Sequence, residues 1–164
     1  MVKELYLYHG SDVCVCKPII IPIERTHDFG NAFYLTSSMG QAAKWSQHVA
    51  RRKLKSISYV SKFSINVQNL TWLLIKKFNK ANKEWLDYIE LNRFENFSDR
   101  YDIVIGPVAD GRTVKIVDDY RSEVINSEEA LNLLHPDRLK DQYAFKTSEA
   151  ISYLTFINCQ KIGG

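Results

Sequence analysis

Asp28-Phe29-Gly30-Asn31-Ala32-Phe33-Tyr34-Leu35-Thr36, continued by Ser37-Ser38-Met39-Gly40-Gln41, is the stretch on which the fold turns. A glycine-containing loop feeds a short apolar strand over residues 32–35, with Tyr34 as its exposed aromatic. Ser38 and Gln41 stand three apart, the spacing of a capping box, so a helix is expected to open there. Loop, strand and sharply started helix together make a pocket wall.

Upstream, Leu5, Leu7 and His9 alternate with Tyr6 and Tyr8, a strand pattern that Gly10-Ser11 stops. Residues 11–27 hold Pro18 and Pro22 and no helical period, which predicts extended chain and turns. Downstream, the helix from Ser38 runs to about residue 55, with Ala42, Trp45 and Val49 on one stripe and Trp45 as its core anchor. Phe63, Ile65 and Val67 alternate with Lys62, Ser64 and Asn66, the pattern of a strand with one wet face. A helix over 81–92 follows, then a β-rich run over 101–108 that Pro107 ends or confines to an edge. Residues 114–124 lean helical, and Ser127 with Glu128 and Glu129 starts a short helix that Pro136 stops. A strand over 142–146 comes next, with Tyr143 and Phe145 facing opposite to Gln142 and Ala144. Thr147 or Ser148 caps a further short helix, and a closing strand covers 154–159. No repeat, low-complexity segment or linker interrupts this order, so residues 1–164 are read as one domain of mixed α+β type.

Composition agrees. A hydrophobic fraction of 45% with 25% charged residues is ordinary for a globular chain. At 164 residues the fold buries enough surface to need no staple. A net charge of +3 is too small to imply a nucleic-acid partner. The longest apolar run, residues 19–23, is broken by Pro22 and is far too short to span a bilayer, and no signal core opens the chain. A cytoplasmic protein without membrane attachment is therefore expected. Three cysteines, Cys14, Cys16 and Cys159, include one Cys-x-Cys pair with no second pair at zinc-ligand spacing, so free thiols and no metal are expected.

Three separated motifs carry a family resemblance. Tyr8-His9-Gly10, Phe33-Tyr34-Leu35-Thr36 and Asp141-Gln142-Tyr143 stand in the order and spacing of the His-Tyr-Glu branch of the ADP-ribosyltransferases. The chain resembles more closely a small bacterial group of that superfamily, often encoded beside a small partner in a toxin–antitoxin-like arrangement. The further matching pieces are Asp28-Phe29-Gly30, Gln41-Ala42 with Trp45, Trp85-Leu86, and the run Tyr101-Asp102-Ile103-Val104-Ile105-Gly106-Pro107-Val108-Ala109-Asp110.

The resemblance implies an ADP-ribosyltransferase-like split β-sheet core with flanking helices. It also implies NAD as donor substrate, and transfer of ADP-ribose to a protein or nucleic-acid acceptor by a mono-ADP-ribosyltransferase, a glycosyltransferase acting as toxin or regulator. In that family the histidine, here His9, holds the adenosine ribose, and Gly10 offers its backbone to the carboxamide. Glycine suits that task because a missing side chain allows close approach. Tyr34 stacks on the nicotinamide ring, Phe29 and Gly30 belong to the segment folding over the ligand, and Thr36 closes the second motif. Gln142 takes the place of the usual glutamate. An amide oxygen still accepts a bond from the ribose hydroxyl, but it has no net charge and is no general base. Asp141 is one source of the missing carboxylate, although adjacent strand residues face opposite ways.

Other readings stand beside these. A catalytically degenerate module that binds NAD or ADP-ribose, or an interaction module covered by a small antitoxin, fits the same motifs. Asp110 follows a strand end, where functional loops lie, and Arg112 behind it suits phosphate. Lys44, Arg51, Arg52, Lys53 and Lys55 read either as helix C-terminal charge with a solvated face or as a phosphate-attracting patch. Arg121-Ser122-Glu123 repeats the residues of another branch's triad only as a contiguous tripeptide, which is a chance match on a charged surface. Trp45, Trp72 and Trp85 are expected in the core.

Overall fold

The computed structural model describes residues 3–22, 28–95, 97–109, 113–135 and 140–163. In chain order the elements are β1 (Glu4–Ser11), β2 (Phe33–Leu35), α1 (Met39–Arg52), β3 (Ser58–Asn66), a 3-10 turn (Val67–Trp72) and β4 (Ile75–Lys77). Then follow α2 (Lys83–Phe94), β5 (Ile103–Pro107), α3 (Thr113–Arg121), α4 (Ser127–Leu133), β6 (Asp141–Phe145), α5 (Ser148–Ser152) and β7 (Thr155–Ile162). The fold is α+β, with the strands divided between two sheets ordered β1-β3-β7 and β2-β6-β5-β4.

Two apolar layers result from the period of two along each strand. Leu7, Phe63 and Ile65 of the first sheet meet Phe33, Leu35, Ile103 and Phe145 of the second. Phe33 and Phe63 cross edge to face, with ring centres 5.8 Å apart. The alternate residues of the second sheet, Val104 and Ala144, point to its other face. There they pack with Phe29, Trp85, Leu86, Ile89 and Val117 beneath the helices. Tyr143 and Phe145 thus face away from Ala144, as the alternation requires.

Among the described residues the two sheets are joined by backbone hydrogen bonds at one short seam. Tyr8 and Thr36 exchange backbone hydrogen bonds of 2.8 and 2.9 Å, joining β1 to the chain just past β2. Beyond this bridge the strands part, and the opening between them is the cleft described below.

α1 lies against β1 and β3. Its buried positions are Ala42, Ser46 and Ala50, each one turn from the next. Small residues stand there because the helix runs very close to the strand. A Cβ built on Gly10 would sit 2.1 Å from the Ala42 carbonyl oxygen and 2.8 Å from the Ser46 nitrogen. That close approach rotates Trp45 outward, leaving it 44% exposed and not the expected core anchor. Trp72, on the 3-10 turn, is 86% exposed, whereas Trp85 is fully buried as expected. The Ser38 hydroxyl caps α1 by accepting from the Gln41 amide at 3.2 Å, but only this half of the expected box forms among the described residues.

Several expectations need correction. The wet face of β3 is only partly wet: Lys62 and Asn66 are half-exposed on it, but Ser64 is buried, as are Ser58 and Ser61 elsewhere in this central strand. Of the two alternatives for Pro107, the first holds: β5 ends there, while lying between β6 and β4 and not at an edge, and Pro107 is tolerated because β4 ends two residues earlier, at Lys77 opposite Ile105. β4 and the 3-10 turn had no signal above their neighbours. The cap of α4 is Asn126, one residue before Ser127, in a full capping box with Glu129. Cys14 and Cys159 are paired as a disulfide across 145 residues, with only Cys16 free and exposed. Spacing along the chain cannot foresee that pairing, which the alignment of β7 beside β3 creates.

Gly10→Ala is expected to cost about 3 kcal/mol or more, because the new methyl meets backbone that cannot rotate away. Urea unfolding, with the midpoint compared at unchanged slope, measures it.

Candidate functional site

The cleft beside the Tyr8–Thr36 seam has a volume of about 520 Å³. That lies in the range of pockets that enclose drug-sized ligands. His9, Gly10, Tyr34, Thr36 and Gln142 all line it. Three segments far apart in sequence therefore converge on one hollow.

His9 stands two residues before the end of β1, on the same face as Leu7. Its ring stacks on Phe33 with centres 4.2 Å apart, and Nδ1 lies 2.7 Å from the Tyr34 carbonyl oxygen. A carbonyl only accepts, so Nδ1 carries the proton and donates. Burial lowers the His9 pKa below its ordinary 6.5, and the bond to Tyr34 only partly opposes this. The imidazole is neutral at pH 7, and Nε2 has no hydrogen-bond partner among the described residues.

Tyr34 lines the cleft and packs against the helix-side core, and its hydroxyl binds the loop. The hydroxyl donates to the Gly30 carbonyl at 2.5 Å and accepts from the Phe29 amide at 3.1 Å. Burial, with the nearby Asp28 charge adding, pushes the phenol well above its usual range, so it stays a donor. The loop is thereby pinned to β2. Gly30 sits at φ +86°, a conformation suited to glycine, and a Cβ there would stand 2.8 Å from the Asn92 side-chain oxygen.

The other expected residues divide. Phe29 is fully buried against Phe78 and Tyr88, and neither it nor Gly30 lines the cleft. Gly10 lines it with backbone, but its missing side chain serves the approach of α1. The Thr36 hydroxyl donates to Asp141 at 3.1 Å and accepts from the Ser38 amide at 3.1 Å. Asp141 also takes the Ser37 amide at 3.0 Å and the Ser37 hydroxyl at 2.5 Å. Its carboxylate therefore braces the β2–α1 turn, on the strand face opposite Gln142. Asp110 and Arg112 lie outside the described residues.

Gln142 is 8% exposed, and its side-chain nitrogen points to the Pro107 carbonyl at 3.4 Å and to Asp28 Oδ2 at 3.5 Å. Asp28 and Arg93 were not anticipated. Arg93 holds Asp28 Oδ1 through Nη2 at 2.7 Å and Nε at 2.8 Å, and the Ala109 amide reaches Oδ2 at 3.3 Å. An aspartate before an aromatic reads as a turn residue, and an arginine in a last helical turn reads as dipole compensation. Their shared position in the cleft has no local signal.

At the rim, buried Asp12 binds Lys55 at 2.6 Å and Lys53 at 2.9 Å. Two of the basic residues after α1 thus anchor the end of β1. The exposed apolar side chains Val13, Ile19 and Ile21 stand with Trp45 along the mouth. Among the described residues no group of three or more His, Cys, Asp or Glu side chains is placed to hold a metal. Nor is any helix there long and apolar enough to cross a membrane.

Site and topology define a class: two-sheet α+β proteins with a cleft beside the seam between the sheets. Residues 5–156 match the family described as "Protein of unknown function (DUF3990)", and the chain belongs to that family. No curated protein matches it.

Two outcomes are expected from these contacts. Tyr34→Phe strips the loop of a donor and an acceptor and should cost about 1–3 kcal/mol, read by thermal unfolding. The hydrogen bond from Lys55, with Lys53 adding, lowers the Asp12 pKa from 3.8 to about 2. The folded value lies below the unfolded one, so this stabilisation is full above about pH 4 and drains as pH falls toward about 2. Asp12→Asn should flatten that part of a plot of urea midpoint against pH.

Proposed function

We propose that the protein is an NAD-dependent mono-ADP-ribosyltransferase acting as a bacterial toxin or regulator. The observation that carries this reading is the convergence of His9-Gly10, Tyr34 and Gln142 on one cleft of about 520 Å³. The motif resemblance requires that convergence, and chain order alone does not provide it.

The residues fit a dinucleotide. A neutral imidazole with a free Nε2 suits a ribose hydroxyl. The Tyr34 ring is fixed by its own hydroxyl bonds, so it offers a flat apolar face at little entropic cost. NAD supplies a glycosidic bond that breaks with its electron pair leaving on nicotinamide, while positive charge grows on the ribose carbon; an acceptor lone pair forms the new bond to that carbon, and the acceptor's proton passes to water. Gln142 contributes an amide oxygen that accepts from the neighbouring ribose hydroxyl. The apolar mouth with Trp45 limits the access of water, which otherwise turns transfer into NAD hydrolysis. The acceptor, protein or nucleic acid, meets the complex at that mouth.

A second reading rests on the neutral side chain at residue 142. Without a carboxylate there, the fold suits a catalytically degenerate module that binds NAD or ADP-ribose, or one whose cleft a small antitoxin covers. Both readings need a compartment that holds NAD, and the cytoplasm supplies it.

Calorimetric titration with NAD is expected to show binding, and labelled ADP-ribose is expected to pass into a component of cell extract. His9→Ala should weaken NAD binding by about tenfold, the value of one hydrogen bond. Binding without any transfer or hydrolysis would select the degenerate reading. Silence in both assays at millimolar NAD would end the transferase reading.

A further inference from the structure

The Gln142 amide is oriented by its neighbours. Asp28 Oδ2 and the Pro107 carbonyl both accept and neither donates, so only the NH₂ end of the side chain can face them. Oε1 accepts from no donor among the described residues. Yet none of the side-chain oxygens sealed from solvent there lacks a partner. Oε1 is therefore open to solvent, on a residue that lines the cleft.

Asp28 is built to hold this orientation. Arg93 fixes Oδ1 with two contacts, and the pinned Phe29 amide and Gly30 carbonyl fix the backbone next to it. Among the described residues Oδ2 has only the long contacts from Ala109 and Gln142, and it acts on the amide. A carboxylate beside an amide N–H draws positive charge toward the nitrogen and leaves the carbonyl oxygen more negative. A glutamate at residue 142 would instead set a second carboxylate against Oδ2 and a lone pair against the Pro107 carbonyl. The site accepts an amide and rejects an acid.

We propose, on the basis of the transferase reading, that Asp28 is a positioning residue for the reaction. The negative charge absent from residue 142 stands one contact behind it, and Asp28 acts through the Gln142 amide to aim and polarise Oε1 at the ribose. The pair Asp28–Gln142 works as a unit, with charge and amide exchanged relative to a site that carries its acid on β6.

A charge exchange tests this. NAD cleavage is measured for wild type, Asp28→Asn, Gln142→Glu and the double variant, with kcat and KM separated and melting temperature recorded. Asp28→Asn should lower kcat by about tenfold to a hundredfold at little change in KM, the worth of one charge-assisted hydrogen bond. Gln142→Glu should also lose activity at neutral pH, not gain it. The double variant should recover to within about tenfold of wild type, because it again has one acid and one amide. In Gln142→Glu, the introduced carboxyl should titrate above the ordinary glutamate value when followed by ¹³C NMR, since like charge and partial burial both disfavour ionisation. This readout does not depend on turnover or on how Asp28→Asn folds. An ordinary titration there overturns the proposal. So do additive losses in the double variant, or a gain of activity in Gln142→Glu alone. With wild-type NAD cleavage intact, any of these results leaves the transferase reading standing. Wild type that neither binds nor cleaves NAD removes that reading and the role of Asp28 with it.

Discussion

The bridge between Tyr8 and Thr36 is the constraint on which the molecule depends. Two backbone bonds stitch the edge of one sheet to the edge of the other, and every feature of the cleft is measured from that stitch. His9, one residue past Tyr8, reaches the Tyr34 carbonyl with its ring and so extends the seam by a third bond. The same histidine stacks on Phe33 and closes the apolar layer between the sheets. Its place is fixed by packing and hydrogen bonding before any ligand arrives, which is what a preorganised site needs.

From that seam the rest follows by short contacts. Tyr34 leaves β2 on the face opposite Phe33, so its ring can only enter the cleft or the helix-side core. Its hydroxyl then ties the loop at Phe29 and Gly30. The loop in turn sets Asp28 beside Gln142, and Arg93 at the end of α2 locks the carboxylate. On the far side Asp141 binds Thr36 and Ser37, so β6 braces the seam with one face and lines the cleft with the other. A single strand thus supplies both the support and the polar tip of the site. Substituting any one of these groups leaves others buried with unmet hydrogen-bonding capacity, so their energies are not additive.

The cleft mouth has a different character. Val13, Ile19 and Ile21 come from a segment without regular structure, and Trp45 comes from a helix that has no room to bury it. Apolar side chains are left in contact with solvent where a large partner or a flat ring can cover them. The polar end of the cleft and its apolar mouth are therefore two different surfaces, one fixed by hydrogen bonds and one made of uncovered apolar side chains.

Local pattern was enough to determine most of the elements. The alternation around Leu5 and Leu7, the cap at Ser38, the Trp85 stripe and the opposed faces of Tyr143 and Ala144 each depend on neighbours two to four residues away, and each is present in the α+β fold. The motifs at His9, Tyr34 and Gln142 were legible as types of chemistry. What the tertiary structure alone decided is how those pieces meet. It turned Trp45 and Trp72 outward, paired Cys14 with Cys159, put Asp141 to structural use and brought Asp28 and Arg93 to Gln142. The physical reason is that burial and charge pairing depend on which surfaces face each other across scores of residues. An acid at one end of the chain carries no mark of the amide it will touch at the other.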